Sequence, residues 1–188
     1  GRSIKDPYHY DLGYSDDDFI ITVVAETNKN KNQSFLIRQV PVLMEKIPHL
    51  KVLFLGKETL PDAHNLVNEM GLQDVCQFLG YRKDVELFTK ISNICFSASI
   101  REGLPVNIIE AMACGKVCIC STNRGHNSLI QNNFNGLIFN LDDPSEMVDE
   151  ILKVYADKNL AKQLADNSYN ESKKYDVKDA VEFTARVY

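Results

Sequence analysis

Short apolar runs alternate with amphipathic stretches along almost the whole chain, and this alternation restricts the fold more than any other feature. FIITVVA (19–25), VLFLG (52–56), VCQFLG (75–80), NICFSAS (93–99) and KVCICS (116–121) read as strands, with GLIFN (136–140) as a short sixth. Residues 32–47 carry Phe35, Leu36, Val40, Leu43 and Ile47 at helical spacing. PDAHNLVNEMG (61–71) and PVNIIEAMACG (105–115) each begin with proline and stop at glycine, as helices do. DVELFTKI (84–91) reads as a helix capped by Asp84, and the pattern is helical from Pro144 onward, with caps at Asp143 and Asp176. Strand and helix in strict alternation predict an α/β fold with a parallel sheet, helices on both faces and right-handed crossovers. Residues 1–18 are rich in aspartate and aromatic residues and are predicted to wrap the edge of the first strand.

The chain has 188 residues, enough for one domain with a sizeable core, and no repeat or low-complexity tract divides residues 1–188. Hydrophobic residues make up 44% and charged residues 25%, a globular composition. The net charge of −5 and pI of about 5.4 argue against a nucleic-acid partner or a polybasic membrane anchor. No stretch approaches the roughly 18 apolar residues of a membrane span. The opening GRSIKD has neither methionine nor a signal-peptide pattern and reads as a truncated start. Five cysteines (Cys76, Cys95, Cys114, Cys118, Cys120) fall in apolar runs and match no zinc spacing, so they read as buried free thiols.

In an open parallel sheet, ligands bind at the carboxyl ends of the strands, which directs attention to the loops after residues 25, 56, 80, 99 and 121. The first, AETNKNKNQSF, places Lys31 at a helix start, where backbone N–H groups favour an anion; a solvated polar loop explains it equally well. The chain lacks both G-x-G-x-x-G after the first strand and G-x-x-x-x-G-K-[ST], which counts against dinucleotide dehydrogenases and P-loop nucleotidases. The loop SIREGLPVNIIEAMACGK is the richest: Glu102 precedes a helix and Glu110 lies within it, about 7.5 Å along the axis from Pro105. Two carboxylates so placed can accept hydrogen bonds from two hydroxyl-bearing ends of one extended ligand, with Gly103 and the helix start between them. A glycosidase pair and a plain surface acid at Glu110 remain open on spacing alone. On that helix Asn107, Glu110 and Cys114 share one face, with Ile109, Met112 and Ala113 toward the core. Tyr81 and Arg82 follow the third strand, in what is otherwise an exposed basic turn. His126 sits before a further helix start and reads as structural; His9, His49 and His64 have no partner by sequence.

Taken in order, FLGYRKDVELFTKISNICFSAS and EGLPVNIIEAMACGKVCICSTNRGHNSLI resemble the C-terminal domain of the retaining GT-B glycosyltransferases of group 1. The E-x7-E of that family matches Glu102 and Glu110, its lysine–asparagine step matches Lys31 and Asn32, and its N-G turn matches Asn135 and Gly136. The resemblance covers about residues 19–155 and implies a Rossmann-like, nucleotide-sugar-binding domain. It implies that Glu110 binds ribose hydroxyls and that Glu102 contacts the donor sugar. Lys31 would neutralise the diphosphate leaving group, which makes Glu102 and Lys31 the catalytic pair of this half. Gly103, Leu104 and Pro105 would bring backbone amides to the sugar and diphosphate, Gly56 would line the donor cleft, and Tyr81 and Arg82 would lie near the base. Many members have Gly–Arg where this chain has Ala25 and Glu26, which removes one cation from the diphosphate site.

The resemblance further implies a UDP-sugar donor without a metal and transfer of a hexose-type sugar to a glycan or lipid-linked acceptor. The setting would be cell-surface polysaccharide synthesis, such as capsule, in the bacterial cytoplasm or at the inner face of the membrane. It places the acceptor site, and any peripheral membrane contact, in an N-terminal domain. This chain alone is then expected to be inactive. A non-catalytic nucleotide-sugar-binding module and a nucleotide-sugar epimerase of the same fold are the alternatives.

Overall fold

The computed structural model describes residues 11–175; the expected Asp176 cap, and the segment before residue 11, lie outside the described residues. Six strands form one parallel sheet: β1 (Phe19–Val24), β2 (Leu50–Leu55), β3 (Cys76–Gly80), β4 (Ile94–Ser97), β5 (Val117–Ser121) and β6 (Leu137–Phe139). Their spatial order is β3-β2-β1-β4-β5-β6. The register pairs Phe19 with Leu50 on one side of β1 and Ile21 with Ile94 on the other. β1 is therefore central and has no free edge.

Both faces of the sheet are covered, as the apolar runs require. The first face buries Ile21, Val23, Val52, Phe54, Ile94, Phe96, Val117 and Ile119. Against them pack α1 (Gln33–Ile37), α2 (Val40–Met44) and α3 (Asp62–Glu69), together with α7 (Pro144–Ala156). The second face buries Ile20, Leu53 and Leu55 under α4 (Val85–Ile91), and Cys95, Cys118 and Cys120 under α5 (Val106–Ala113) and the end of α6 (Arg124–Leu129). α8 (Lys158–Ser172) packs on α5 and β5. Each fully buried Ile or Leu contributes about 1.5–3 kcal/mol by leaving water, so the period-2 alternation of the strands pins the register. A stack of Phe35, Phe139 and Phe96, with ring centroids 5.7 and 5.4 Å apart, ties α1 to β6 and β4.

Four expectations are corrected. The predicted 32–47 helix is two helices, α1 and α2, broken at Arg38–Gln39. Pro41 has no N–H to continue the ladder, but it suits the first turn of a new helix. The C-terminal helical stretch likewise divides at Asp157, whose carboxylate caps α8 by accepting from Asn159 and Leu160 N–H. The described part of the N-terminal segment does not wrap a strand edge: Tyr14 packs over the second face with Ile20, Leu53, Phe88 and Ile91 and donates to Gln77. Asp84 stands at the start of α4 without capping it, because its carboxylate is taken by Arg82. By contrast Asp143 caps α7, accepting from Ser145 and Glu146 N–H.

The thiols of Cys76, Cys95, Cys118 and Cys120 are buried and free, and that of Cys114 is half-buried. Burial pushes those of Cys76 and Cys95 up to about 12, which leaves them unreactive. Among the described residues no helix is long and apolar enough to cross a membrane.

One glycine is demanded by packing at the carboxyl edge. Gly56 has φ 151°, and a Cβ there would stand 2.1 Å from Ala25 O. Gly56→Ala is expected to cost about 2–4 kcal/mol, whereas Gly103→Ala, with nothing within 4 Å of a built Cβ, should cost little. Urea unfolding of the two variants checks this.

Candidate functional site

The chain runs outward from β1 in opposite directions, toward β2 and β3 and then toward β5 and β6, so the loops after β1 and β4 part above the sheet. That divergence makes the ligand crevice of an open parallel sheet. Here the two loops are stitched together by Asn30. Its carbonyl accepts from Ile100 N–H at 2.8 Å, its Oδ1 accepts from Arg101 N–H at 3.1 Å, and its Nδ2 donates to Arg101 O at 3.0 Å. Beside this seam Lys31 Nζ meets Glu102 Oε1 at 2.6 Å, with side chains only 23% and 11% exposed. Partial burial makes the contact stronger than a free surface pair. Asn28 Oδ1 accepts from Lys31 N–H at 2.9 Å and fixes the backbone from which the lysine reaches.

Past Glu102 the chain enters α5. Pro105 occupies the N-cap and offers no side-chain cap, so the first-turn N–H groups face the crevice side uncapped. Pro105 is buried and has no N–H; the amides near it are those of Gly103 and Leu104. Asn107 Nδ2 donates to Val24 O at 2.9 Å and so fastens α5 to the end of β1. Glu110 lies four residues into the helix, about 6 Å along it, and is exposed; the protein around its carboxyl raises its pKa by desolvation. The core side of α5 is Ile108, Ile109, Ala111 and Met112, with Ala113 exposed rather than buried. Ile109 and Met112 face the core as expected and Ala113 does not; Ile108 and Ala111 are buried as well, and α8 packs on α5 from a second direction.

The structure thus brings Lys31, Glu102, Gly103 and Leu104 together at the crevice, with Glu110 further along α5. Gly56 lies one strand away, against Ala25. Tyr81 and Arg82 follow β3, two strands from β1, or about 10 Å across the sheet. Tyr81 is 76% exposed, while Arg82 makes two 2.7 Å bonds to Asp84 and lies 4.7 Å over the Phe88 ring. Glu26, where a cation was expected, accepts from Asn28 Nδ2 at 2.9 Å and is exposed. Two hollows, of about 160 Å³ beside Thr27 and Asn32 and about 370 Å³ beside Asp18 and Tyr155, are not lined by Lys31 or Glu102. Among the described residues no cluster of histidine, cysteine and carboxylate groups has a metal-binding arrangement.

Sequence reasoning missed the support beneath Glu102. His126 lies within α6 rather than before it, and Asn123 is the cap, accepting from His126 N–H at 2.9 Å. The asparagine followed by a helical run was the available signal. Gly125 gave none: only the fold shows that a Cβ there would stand 2.6 Å from Glu102 Cβ.

This is a parallel α/β domain with a cation and a carboxylate at its switch point. Residues 5–171 match the family model described as glycosyl transferases group 1, and the chain belongs to that family. It is 30% identical over 177 residues to EpsD of Bacillus subtilis, covering 94% of this chain and 46% of EpsD. It is 29% identical over 153 residues to an Escherichia coli UDP-Gal:α-D-GlcNAc-diphosphoundecaprenol α-1,3-galactosyltransferase, covering 79% of this chain and 40% of that enzyme. The chain therefore spans less than half the length of these relatives. Among solved structures it superposes on Anabaena HepE with UDP and glucose at a TM-score of 0.80, 21% identity, over 91% of this chain and 48% of HepE. The C-terminal domain of a Francisella tularensis group 1 protein, LpcC, gives 0.75 at 20% identity, over 84% of this chain and 85% of that domain. The fold is Rossmann-like and corresponds to one half of a GT-B structure.

His126 also carries a pH signature. Burial, opposed in part by its bond to Ser121 O, lowers the ring's pKa below the ordinary 6.5. The folded state then binds fewer protons than the unfolded one, so this contribution to stability is full above pH 6.5 and is lost as the pH falls through the lowered folded value. Urea midpoints should drop between pH 7 and pH 5, and His126→Asn should shrink that drop; an unchanged drop would refute the assignment.

Proposed function

We propose that this chain is the donor-binding domain of a retaining glycosyltransferase. The full enzyme would move a hexose-type sugar from a UDP-sugar to a glycan or lipid-linked acceptor during cell-surface polysaccharide synthesis, at the cytoplasmic face of the membrane. The observation that carries the reading is the Lys31–Glu102 pair, set across the switch-point crevice beside the uncapped start of α5. HepE, solved with UDP and glucose, supports the nucleotide, and the Escherichia coli relative, named for a diphosphoundecaprenol substrate, supports a lipid-linked acceptor.

In this reading Lys31 and Glu102 are partners of each other until the donor arrives. The diphosphate then draws the Lys31 ammonium and the first-turn N–H groups of α5, which stabilise negative charge as the sugar–phosphate bond breaks. Glu102, released from Lys31, accepts hydrogen bonds from hydroxyls of the donor sugar. Glu110, further along α5, accepts from the ribose hydroxyls. Gly103 and Leu104 supply amides, Gly56 lines the cleft, and Tyr81 and Arg82 stand on the base side. Lys31 acts without the second cation that Glu26 replaces. The acceptor and its activating groups belong to the other half that the full-length relatives carry.

Calorimetry with UDP, GDP and ADP tests the donor site: heat with UDP is expected, and none with any of the three would sink the reading. Glu110→Ala should weaken UDP binding by about ten-fold, and more than His126→Ala; equal losses would remove the ribose role. The 188-residue chain should hydrolyse or transfer no sugar by itself, checked by following UDP release from UDP-glucose.

A further inference from the structure

His126 has no task in the donor-site reading, yet its surroundings are tied to Glu102. Its Nδ1 lies 2.7 Å from Ser121 O and 2.8 Å from Asn123 Nδ2; the carbonyl only accepts, so in the tautomer that bonds it Nδ1 carries the proton, while the Asn123 amide donates to Ser99 O. The buried ring is neutral, so Nε2 presents a bare lone pair, and Nε2 is enclosed with no hydrogen-bond partner among the described residues. Such an orphaned acceptor is unusual in a purely structural histidine. The residue before it, Gly125, is pressed on the catalytic loop: a Cβ there would stand 2.6 Å from Glu102 Cβ and 2.7 Å from Glu102 O. Ser99 O, on the same loop as Glu102, accepts from Ser121 Oγ at 2.6 Å and from Asn123 Nδ2 at 2.9 Å. Asn123 Oδ1 in turn holds His126 N–H. The loop that carries Glu102 therefore hangs from the turn that His126 closes. Both charges of the ion pair act on the ring, Glu102 favouring its protonation and Lys31 opposing it, while Ser99, Ser121 and Asn123 are uncharged.

We propose that His126 is a positioning residue of the donor site: its neutral ring locks the first turn of α6 against Glu102 and sets where that carboxylate meets Lys31 and the donor sugar. The sugar clause rests on the proposed function; the ion-pair clause does not. A protonated ring would set a second positive charge near Glu102 in competition with Lys31, so the neutral form is the working one.

A double-mutant cycle of Lys31→Ala and Glu102→Gln, read from urea unfolding of the 188-residue chain, measures the ion-pair coupling without any ligand. It is run in the wild type, in His126→Asn, which keeps a donor on the Nδ1 side, and in His126→Phe, which fills the space without one. The coupling should be about three-fold or more in the unfolding equilibrium for the first two and close to one-fold for His126→Phe; an undiminished coupling there overturns the proposal. Should His126→Phe not fold, the ring's titration by NMR decides. Glu102→Gln must lower and Lys31→Ala must raise its midpoint, and a midpoint indifferent to both overturns the proposal.

The donor arm compares UDP with the tightest binder among UDP-glucose, UDP-galactose and UDP-N-acetylgalactosamine. His126→Phe should weaken the nucleotide sugar about ten-fold and UDP by less than about two-fold, and adding Glu102→Gln should cost no more. Equal losses for both ligands, or additive losses, overturn the proposal. Failure of the wild type to bind any of them refutes the donor reading alone, and the ion-pair cycle still decides the role of His126.

Discussion

Everything else in this molecule depends on the parallel pairing of β1 with both β2 and β4. A parallel neighbour can be reached only by a crossover, and right-handed crossovers fix which face each connecting helix must cover. The chain fills one side of β1 first, with α1 to α3 on the first face, then returns across the sheet and fills the other side, with α4 to α6 on the second. The crevice between the β1 and β4 loops is the geometric remainder of that reversal. Two layers of helices then bury strands whose side chains are mostly apolar, and cysteines stand there where valine or isoleucine would serve.

The crevice would be an open gap if the two loops were not joined. Asn30 joins them through its carbonyl and its side-chain amide, and Lys31, its neighbour in sequence, thereby reaches Glu102. The site is rigid for the same reason that it is charged: the backbone seam places both ends of the ion pair before any ligand arrives. Sites that stabilise developing charge do so with groups already in position and at low cost of reorganisation, and the proposed donor site would benefit in the same way. The absence of an arginine at Glu26 leaves the lysine and the helix start as the cationic side of the crevice.

Membership of the group 1 glycosyl transferases and the match to half of larger structures agree with this picture. The E-x7-E spacing was legible because it sits on one loop and one helix, where distance in sequence converts to distance in space at 1.5 Å per residue. Lys31 was legible for a similar reason, as the lysine nearer the start of the first helix, two residues beyond Lys29. Tyr81 and Arg82 follow the third strand as the sequence indicated, but strand order sets them two strands away from β1, and Asp84 holds the arginine. The Gly125 contact with Glu102 joins residues from different loops and left no local trace.

The sequence by itself determined the class of fold, the existence of the six strands, most helix starts and the places of the two glutamates and the lysine on the loops beyond the strand ends and the helix that follows. These depend on side-chain periodicity, prolines, glycines and caps, which act within a few residues of one another. Only the tertiary structure decided the strand order, the central place of β1, the break of the first helical stretch at Arg38–Gln39 and the burial of Ala111 in place of Ala113. It alone set Lys31 against Glu102 and drew the loop of His126 beneath them. These are contacts between segments about 20 to 80 residues apart, whose energies come from packing and hydrogen bonding across the fold, and a local pattern carries no record of which distant partner it will meet.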